Sequence, residues 1–316
     1  MKLRSLLLLL FLSTHLYGQS DTSKVAFIAY WSIGDSYDFK ITKINQQWKA
    51  DKLTSDNKQE YIAKFTVLDS TDKSYIISWT YKNDLGSTYQ IPEKLRNRFA
   101  KYEITEIKYK TSEVGDFLEV LNWKEVGEVM SNMIDDLVDV LGEGDKEKRE
   151  KLKSGMEAVK QVYSSQQGIE QMVLKELHYI HFPMGVEFDI TEPVLYDETL
   201  PNMFGGEPIK AKTEISFESV DHEEGFCVFK QEMALNPEDT KSLIKEVFSR
   251  MKLNDKEMQE ALKKAVVEIN DHNRYEFYYN PGIPHRIETL RESVIDMNND
   301  KGKRIDKTII ELIYKE

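Results

Sequence analysis

The stretch from Trp123 to Leu141 constrains the fold most, because its apolar residues recur at the spacing of an amphipathic helix. These apolar residues are Trp123, Val126, Met130, Met133, Ile134, Leu137 and Leu141. Charged and polar side chains fill the other positions, so one side of the predicted helix needs an apolar surface to cover. Since the flanking sequence predicts mostly antiparallel β-strands, we expect that surface to be a sheet.

The strand pattern is clearest between Tyr61 and Tyr81, where apolar and polar residues alternate on either side of a polar turn at 69–72. Strands place alternate side chains on opposite faces, so this pattern predicts a β-hairpin with one aromatic face. The same alternation occurs earlier, at Tyr37, Phe39 and Ile41. A short apolar strand is also predicted over residues 25–31.

Similar stretches elsewhere bring the predicted total to about eleven strands. The sequence therefore predicts an α+β fold, in which an antiparallel curved sheet or open barrel is covered by amphipathic helices. Residues 193–208, rich in Pro and Gly, are predicted as a loop, and a late helix is predicted to end at Ile269. Two organisations remain open for residues 25–316: a single undivided α+β domain, or one built from two related halves, 25–183 and 184–316.

The N-terminus has the layout of a secretory signal peptide, with Lys2 and Arg4 before an apolar run at 6–12. We therefore predict a signal peptide over residues 1–18 and a disordered leader over residues 19–24. The apolar run is shorter than the roughly 20 residues that span a membrane, so a retained anchor is the less favoured alternative. The mature chain is predicted to be exported to the periplasm, the outer surface or the medium, with no integral membrane segment after cleavage.

The acidic composition narrows the classes of partner. The chain has 43 basic and 55 acidic residues and a net charge of −12, and loss of Lys2 and Arg4 brings this to about −14. Such a charge repels phosphate backbones, which argues against nucleic acid as the main partner. Because the one cysteine, Cys227, cannot form an internal disulfide, we expect the apolar core alone to stabilise the chain, with Cys227 buried in it.

The sequence contains no motif of a familiar catalytic class: it has no Gly-x-Ser-x-Gly, P-loop, dinucleotide-binding or His-Glu-x-x-His pattern. We therefore assign no catalytic residue and no cofactor, and an enzyme is the less favoured class. His178 and His181 have a spacing that can bring two imidazoles together on a helix, so they are the candidates for a metal site. Their apolar neighbours favour structural histidines instead.

Aromatic side chains predicted to share one face of the sheet form the candidate ligand site. Together with two residues of the covering helix, they are Tyr37, Phe39, Tyr61, Phe65, Tyr75, Trp79, Tyr81, Trp123 and Met130. Two interpretations compete. Either these side chains form a packed core under the helices, or they line an incompletely filled cavity for an apolar ligand, since such pockets form between a curved sheet and its cover.

Two short segments carry a resemblance: Gly34-Asp35-Ser36-Tyr37 before the first long strand, and Pro281-Gly282-Ile283-Pro284 between late strands. In these segments the chain resembles uncharacterised exported proteins of Gram-negative bacteria. Its predicted architecture is also similar to the periplasmic lipoprotein-carrier fold, an unclosed barrel with a helical lid that holds acyl chains. The second resemblance implies an apolar ligand, but the helix-rich middle of the chain departs from it, and no functional residue carries over.

Three functional hypotheses follow from the sequence. The first is an exported, non-enzymatic binding protein that holds an apolar or amphiphilic ligand, lipid-like or lipoprotein-like, between sheet and helices. The second is a structural or interaction module of the cell envelope that binds a protein or a glycan. The third and least supported is a hydrolase of envelope polymers, which would need a cleft with two close carboxylates.

Overall fold

Thirteen strands and seven helices occur in the part of the chain that the structure describes. The structure is a computed structural model that describes residues 22–81, 93–99, 101–102, 106–173, 175–202, 206–250, 256–297 and 300–314. The strands are β1 (Lys24–Ala26), β2 (Ser36–Lys49), β3 (Lys52–Thr71), β4 (Ser74–Tyr81), β5 (Glu106–Ser112), β6 (Phe117–Val120), β7 (Glu187–Asp189), β8 (Val194–Leu200), β9 (Ile209–Asp221), β10 (Phe226–Leu235), β11 (Val266–Tyr278), β12 (Ile283–Met297) and β13 (Asp300–Ile313). The helices are α1 (Glu93–Phe99), α2 (Trp123–Leu141), α3 (Lys146–Tyr163), α4 (Gln166–Val173), α5 (Lys175–His181), α6 (Pro237–Arg250) and α7 (Lys256–Lys264).

Eleven of the strands form one antiparallel sheet, in the order β6-β5-β4-β3-β2-β13-β12-β11-β10-β9-β8. From β2 the chain moves strand by strand to the edge at β6, re-enters at the opposite edge as β8, and moves strand by strand back to β13, which pairs with β2. Helices α2 to α5 connect β6 to β7. The predicted α+β class, with an open antiparallel sheet of eleven strands and covering helices, is confirmed.

The sheet is strongly curved, as the turns at Gly115 and Gly282 show. Gly115 lies between β5 and β6 and Gly282 between β11 and β12, and five strand spacings, about 24 Å in a flat sheet, separate β5 from β12. Yet a Cβ atom added at Gly115 would lie 2.6 Å from Cε of Met184, and one added at Gly282 would lie 2.9 Å from the same atom. The sheet therefore bends around an interior that contains Met184, and we call the side toward Met184 the inner face.

The N-terminal segment, residues 24–31, runs through this interior. Its first residues form β1, which pairs with β7 apart from the large sheet. Beyond β1, the amide of Phe27 donates a hydrogen bond to the carbonyl of Val186 (3.0 Å), and that of Ala29 donates to Val114 (3.0 Å). The amide of Tyr30 donates to Pro281 (3.1 Å). The strand predicted over 25–31 is therefore a strand only at its start, because its later amides bond to three different loops.

Helix α2 covers the range that its apolar pattern predicts. Its first part packs on the sheet. Val126 is buried in the main apolar cluster, which includes Phe39, Phe65 and Trp79 of the strands, and Met130 packs against this cluster. The partner helix α3 begins after Asp145, whose side chain accepts a hydrogen bond from the amide of Lys148 (2.9 Å), as expected of an N-cap residue. The helix predicted over Trp123–Leu141 is therefore confirmed.

Apolar side chains occupy the two ends of the inner face. The main cluster lies at the end that carries the β11–β12 turn, here called the turn end, and includes Phe39, Phe65 and Trp79. At the opposite end, Leu243 of α6 and Ile269 of β11 pack against the same small apolar cluster, and Ile244 packs against another that contains Val267. The helices after β10 thus cover the far end of the sheet, whereas α2 and the last residues of α5 lie over the turn end.

Two predicted elements are wrong. The stretch 193–208, predicted as a loop, contains the edge strand β8, which pairs with β9 along its whole length. The helix predicted to end at Ile269 ends at Lys264, and β11 begins at Val266. β-Branched residues favour strands, and β12 supplies a cross-strand neighbour for each residue from Val266 onward, so pairing overrides the helical pattern.

The predicted signal peptide lies outside the described residues. Lys24, placed in the predicted leader, is the first residue of β1, and the carbonyl of Ser23 accepts a hydrogen bond from the amide of Ile190 (2.9 Å). The described helices include none that is long and apolar enough to cross a membrane.

Candidate functional site

Eight of the nine residues predicted to bind a ligand lie in or against the main apolar cluster. Phe39, Phe65 and Trp79 are buried. The partly buried members are Tyr37, Tyr61, Tyr75, Trp123 and Met130. Tyr81 ends β4, where it pairs with Ala63 of β3. The fold therefore brings strand residues and α2 residues of the predicted set to one region.

Protein side chains cover this aromatic face. The Trp31 ring, from the N-terminal segment, lies edge-on to Phe65 at 5.1 Å and to Tyr75 at 5.2 Å between ring centroids. The rings of Phe39 and Trp79 stack at 6.0 Å. Of the two interpretations drawn from the sequence, these contacts favour a packed core at the turn end. A ligand-binding role for the predicted aromatic set stays a prediction.

The two histidines proposed for a metal site are both hydrogen-bonded. His181 is 3% exposed, and its Nδ1 lies 2.7 Å from the carbonyl oxygen of Gly115, which can only accept, so Nδ1 carries the proton. Burial lowers the pKa of His181 to about 4, so the ring is neutral and Nε2 accepts from the Tyr109 hydroxyl at 2.9 Å. Nε2 of His178 lies 2.8 Å from the carbonyl of Glu170. Among the described residues, no group of three or more His, Cys, Asp or Glu side chains could hold a metal ion.

A strip of polar side chains crosses the inner face between its two apolar ends. We call it the polar band and define it by two cross-strand rows, Asn273-Thr289-Thr308-Lys43 and Asp271-Arg291-Asp306-Asn45. Each of these residues lies two or four positions along its own strand from a buried residue, so strand alternation puts it on the same face. The buried residues are Tyr275, Ile287, Ile310 and Ile41. Fourteen buried polar residues occur in the described chain, and Asp271, Asn273 and Thr289 of the band are among them.

Charged side chains hold the band together while parts of them reach solvent. Arg291 donates two hydrogen bonds to Asp271, from Nε and from Nη2, each of 2.6 Å. Asp306 accepts two from Arg304, at 2.7 and 2.8 Å, and one from Asn45. The side chain of Arg291 is 40% exposed, whereas that of Asp271 is 10% exposed. The band is therefore a hydrogen-bonded polar surface that is partly open to solvent.

Helix α5 lies across the band. Its buried Glu176 forms an ion pair with Lys43 and accepts a hydrogen bond from the Tyr61 hydroxyl (3.2 Å). Tyr179, one turn later, lies near Thr289. Burial, together with the like charge of nearby Arg291, lowers the pKa of the Lys175 amine at the start of the helix. Helix α5 therefore adds a carboxylate, a phenol and an amine to the band.

A shallow depression lies on the outer face of the sheet, whereas the polar band lies on the inner face. It has a volume of about 250 Å³ and is lined by residues of β8 to β11, among them Leu195, Lys212, Glu232 and His272. His272 contacts Glu232 there, and both side chains are about half exposed. None of the residues that the sequence predicts for a ligand lines this depression.

Sequence analysis missed the polar band, apart from Tyr61 at its margin. A signal for it exists within β12, where Ile287, Thr289 and Arg291 share one face and the character of that face changes from apolar to charged. The rest of the band can be recognised only when it is known which strands are neighbours in the sheet. Only the pairing of β13 with β2 brings Asp306 next to Asn45.

Comparison with known proteins gives no family assignment. No family model matches the chain, and no curated protein matches it. Among solved structures, the chain is similar to lipovitellin, studied for its lipid–protein interactions, with 7% identity and a TM-score of 0.41. The similarity covers 90% of this chain and 25% of the lipovitellin chain, so the chain spans about a quarter of that protein.

Two bacterial structures are also similar at low scores. A Bacteroides fragilis protein assigned as exported, with a YmcC-like fold, is 12% identical with a TM-score of 0.22, over 92% of this chain and 100% of that one. Ail, the attachment invasion locus protein of Yersinia pestis, is 4% identical with a TM-score of 0.16, over 89% of this chain and 100% of that one. Likenesses at these scores carry no functional conclusion.

Proposed function

We propose that this chain is an exported, non-enzymatic binding protein that holds an amphiphilic ligand between the sheet and the helices, with the polar group of the ligand at the polar band. The proposal is carried by one observation: Arg291, Lys43 and Asp306 lie in the middle of the inner face, partly exposed, between two apolar regions. Export is supported by the layout of residues 1–18 as a signal peptide.

Polar groups that lie under covering helices carry a desolvation cost. Removing an ion or an amide from water costs several kcal/mol unless it is paired or hydrogen-bonded, and a purely structural interior would be filled with apolar residues instead. Here the charges are bonded to one another but keep exposed surface, while apolar side chains of Tyr61 and Ile269 flank them. An amphiphile has an apolar and a polar part, so it can contact an apolar region of the inner face and the polar band at the same time.

The proposal is tested by extraction of the protein purified from its native compartment, followed by mass spectrometry of the extract. We expect an amphiphile from the wild type and none from the double variant Asp271→Asn/Arg291→Gln, which removes both charges but keeps hydrogen-bonding groups. The matched control is Arg286→Gln/Glu311→Gln, which removes an ion pair from the outer face of β12 and β13 and is expected to retain the ligand.

Two outcomes contradict the proposal. One is a wild-type protein that carries no amphiphile, and the other is a band variant that carries as much as the wild type. Trp79→Phe distinguishes the site predicted from the sequence, because it perturbs the aromatic face without touching the band. Loss of ligand in Trp79→Phe, with retention in the band variant, would place the ligand at the aromatic face.

A further inference from the structure

Four aromatic rings lie side by side on the sheet at the turn end. Phe226 of β10 is the cross-strand neighbour of Tyr278 of β11, and their ring centroids lie 4.9 Å apart. The ring of His285 lies 6.2 Å from the first of these and 6.1 Å from the second. The ring of Tyr314 lies 5.8 Å from that of His285. We call these four residues the outer aromatic patch.

Strand alternation places the patch on the face away from the covering helices. Cys227 and Phe277 are the strand neighbours of Phe226 and Tyr278, and both are buried in the main apolar cluster of the inner face. Phe226 and Tyr278 therefore point outward. Solvent reaches the patch, since Tyr314 is 60% exposed.

A β-bulge brings His285 into the patch. Glu276 of β11 pairs with Arg286 of β12, but the next residue of β11 pairs with Pro284. His285 is therefore an extra residue without a cross-strand partner on β11. Alternation from the buried Ile287 would point this side chain inward, so the bulge is what turns it outward. Bulges re-aim side chains in this way and are frequent beside functional sites.

Hydrogen-bonding groups lie along the edge of the patch. The Tyr314 hydroxyl lies 3.1 Å from the hydroxyl of Tyr278 and 2.8 Å from Nδ1 of His285. The other ring nitrogen of His285 faces the carboxylate of Glu276 at 3.6 Å. Two hydroxyls, an imidazole and a carboxylate supply both donors and acceptors. The patch therefore combines aromatic rings with polar partners.

The charges beside the rings are balanced within the sheet. Glu276 forms an ion pair with Arg274, and Arg286 forms ion pairs with Glu288 and Glu311. A charged ligand would gain little at the patch, because its charge would compete with these pairs. The charge pattern therefore favours a neutral ligand.

A purely apolar partner fits the patch poorly. It would take the hydroxyls of Tyr278 and Tyr314 and the imidazole of His285 out of water without offering new hydrogen bonds, which is unfavourable. A saccharide offers both kinds of surface. Its C–H groups stack on the electron-rich face of an aromatic ring, and its hydroxyls donate and accept hydrogen bonds.

We propose that the outer aromatic patch binds a neutral glycan, with sugar rings stacked on Tyr314 and Tyr278 and sugar hydroxyls bonded to His285 and Glu276. The polar band lies on the inner face, so this site is separate from the one under the proposed function and does not rest on it. Because the rings form a row on an open sheet face, successive units of one polysaccharide chain can contact them.

The experiment is saturation-transfer NMR of the mature chain with three neutral hexasaccharides: chitohexaose, cellohexaose and maltohexaose. We expect at least one to bind, with the strongest transfer to the C–H protons of the sugar face that stacks. Tyr314→Ala is expected to weaken that binding by about five- to tenfold. Tyr314 follows the last residue of β13, so this variant keeps every strand pair. Tyr314→Phe is expected to lose less, because it keeps the stacking ring.

The matched control is Tyr30→Ala. Tyr30 is 58% exposed, almost as much as Tyr314, but it belongs to the N-terminal segment and not to the patch. This variant is expected to bind the sugar as tightly as the wild type. A loss in Tyr30→Ala as large as that in Tyr314→Ala would overturn the assignment of the site.

Three further outcomes overturn the inference. The first is no transfer to any of the three hexasaccharides, and the second is equal affinity in Tyr314→Ala and the wild type. The third is tighter binding of an anionic hyaluronan hexasaccharide or a cationic glucosamine hexamer than of any neutral sugar. Each of these leaves the proposed function standing, because extraction of an amphiphile tests the inner face alone.

Discussion

The hydroxyl of Tyr109 lies 2.9 Å from Nε2 of His181, and both side chains are buried in the main apolar cluster. Because the Gly115 carbonyl accepts a hydrogen bond from Nδ1–H, the neutral imidazole is hydrogen-bonded at both nitrogens. A second proton on Nε2 would turn this nitrogen into a donor, take away the acceptor of the Tyr109 O–H and leave a charge in the core. Burial accordingly lowers the pKa of His181 to about 4, from 6.5.

We expect this histidine to make the protein acid-sensitive. Between about pH 6.5 and pH 4 the unfolded chain binds the proton and the folded chain does not, so the free energy of unfolding falls as the pH is lowered through this window. The total loss is about 3 kcal/mol, and it does not grow further below pH 4, where both states are protonated. Urea denaturation at a series of pH values measures the slope.

Two variants identify the residue responsible. His181→Gln keeps hydrogen-bonding groups and removes the titration, so it is expected to be less stable at neutral pH but to lose most of the slope. His222→Gln alters an exposed histidine and is expected to keep the slope of the wild type. A His181→Gln protein that retains the full slope would show that other groups cause the acid sensitivity.

The elements predicted correctly from the sequence are those with local signals. Helix α2 has an apolar period, a stop at Gly142 and a following N-cap at Asp145, all within a few residues of its ends. The errors arise where a distant strand decides. Residues 194–200 become β8 because β9 offers them a partner, and Val266 joins β11 because β12 pairs with it. Period and capping signals do not contain that information.

The polar band could not be predicted from local sequence signals for the same reason, because strands that are distant in the sequence bring its residues together. Asn45 and Asp306 are hydrogen-bonded neighbours in the band but lie 261 residues apart in the chain. The aromatic face could be predicted, because alternation within single strands is enough to define it. The change from apolar to polar rows across four strands could not, since it requires the order and the register of these strands in the sheet.

Arg291 and Asp271 provide a test of how the band is held together. Arg291→Met leaves the nearly buried carboxylate of Asp271 without its two donors, so we expect the free energy of unfolding to fall by about 2 to 4 kcal/mol. Adding Asp271→Asn removes the stranded charge, and the double variant is expected to be more stable than Arg291→Met alone. Chemical denaturation of the four proteins of this cycle measures the coupling.

The matched control for this cycle is Arg304→Met. Arg304 also donates two hydrogen bonds to a carboxylate, Asp306, but its side chain is 54% exposed. Exposed pairs contribute little, so we expect a change of less than about 1 kcal/mol. Equal losses in Arg291→Met and Arg304→Met would mean that burial of Asp271 does not decide the stability of the band.

Two helical glycines are expected to respond in opposite ways to alanine. A Cβ at Gly127 of α2 would lie 2.6 Å from the carbonyl oxygen of Tyr163 at the end of α3. Gly127→Ala must therefore push these helices apart, and we expect it to destabilise the protein by about 1 to 3 kcal/mol.

A Cβ at Gly155 of α3 meets no atom within 4 Å. Gly155→Ala is therefore expected to stabilise by about 0.5 to 1 kcal/mol, through helix propensity. Thermal unfolding of both variants measures the difference, and a stabilised Gly127→Ala would contradict the close approach of α2 and α3.

Cys227 is expected to be inert in the folded protein. Its side chain is fully buried, as predicted from the sequence, and burial raises the pKa of the thiol to about 12. The thiolate is the reactive form, and at pH 8 such a thiol is ionised to only about one part in ten thousand. We therefore expect a thiol reagent such as dithionitrobenzoate to label no cysteine in native buffer and one per chain in concentrated guanidinium chloride. Ser154→Cys, at an exposed position of α3, is the positive control and is expected to label at once. Rapid labelling of the native wild type would show that this part of the core opens far more often than its packing implies.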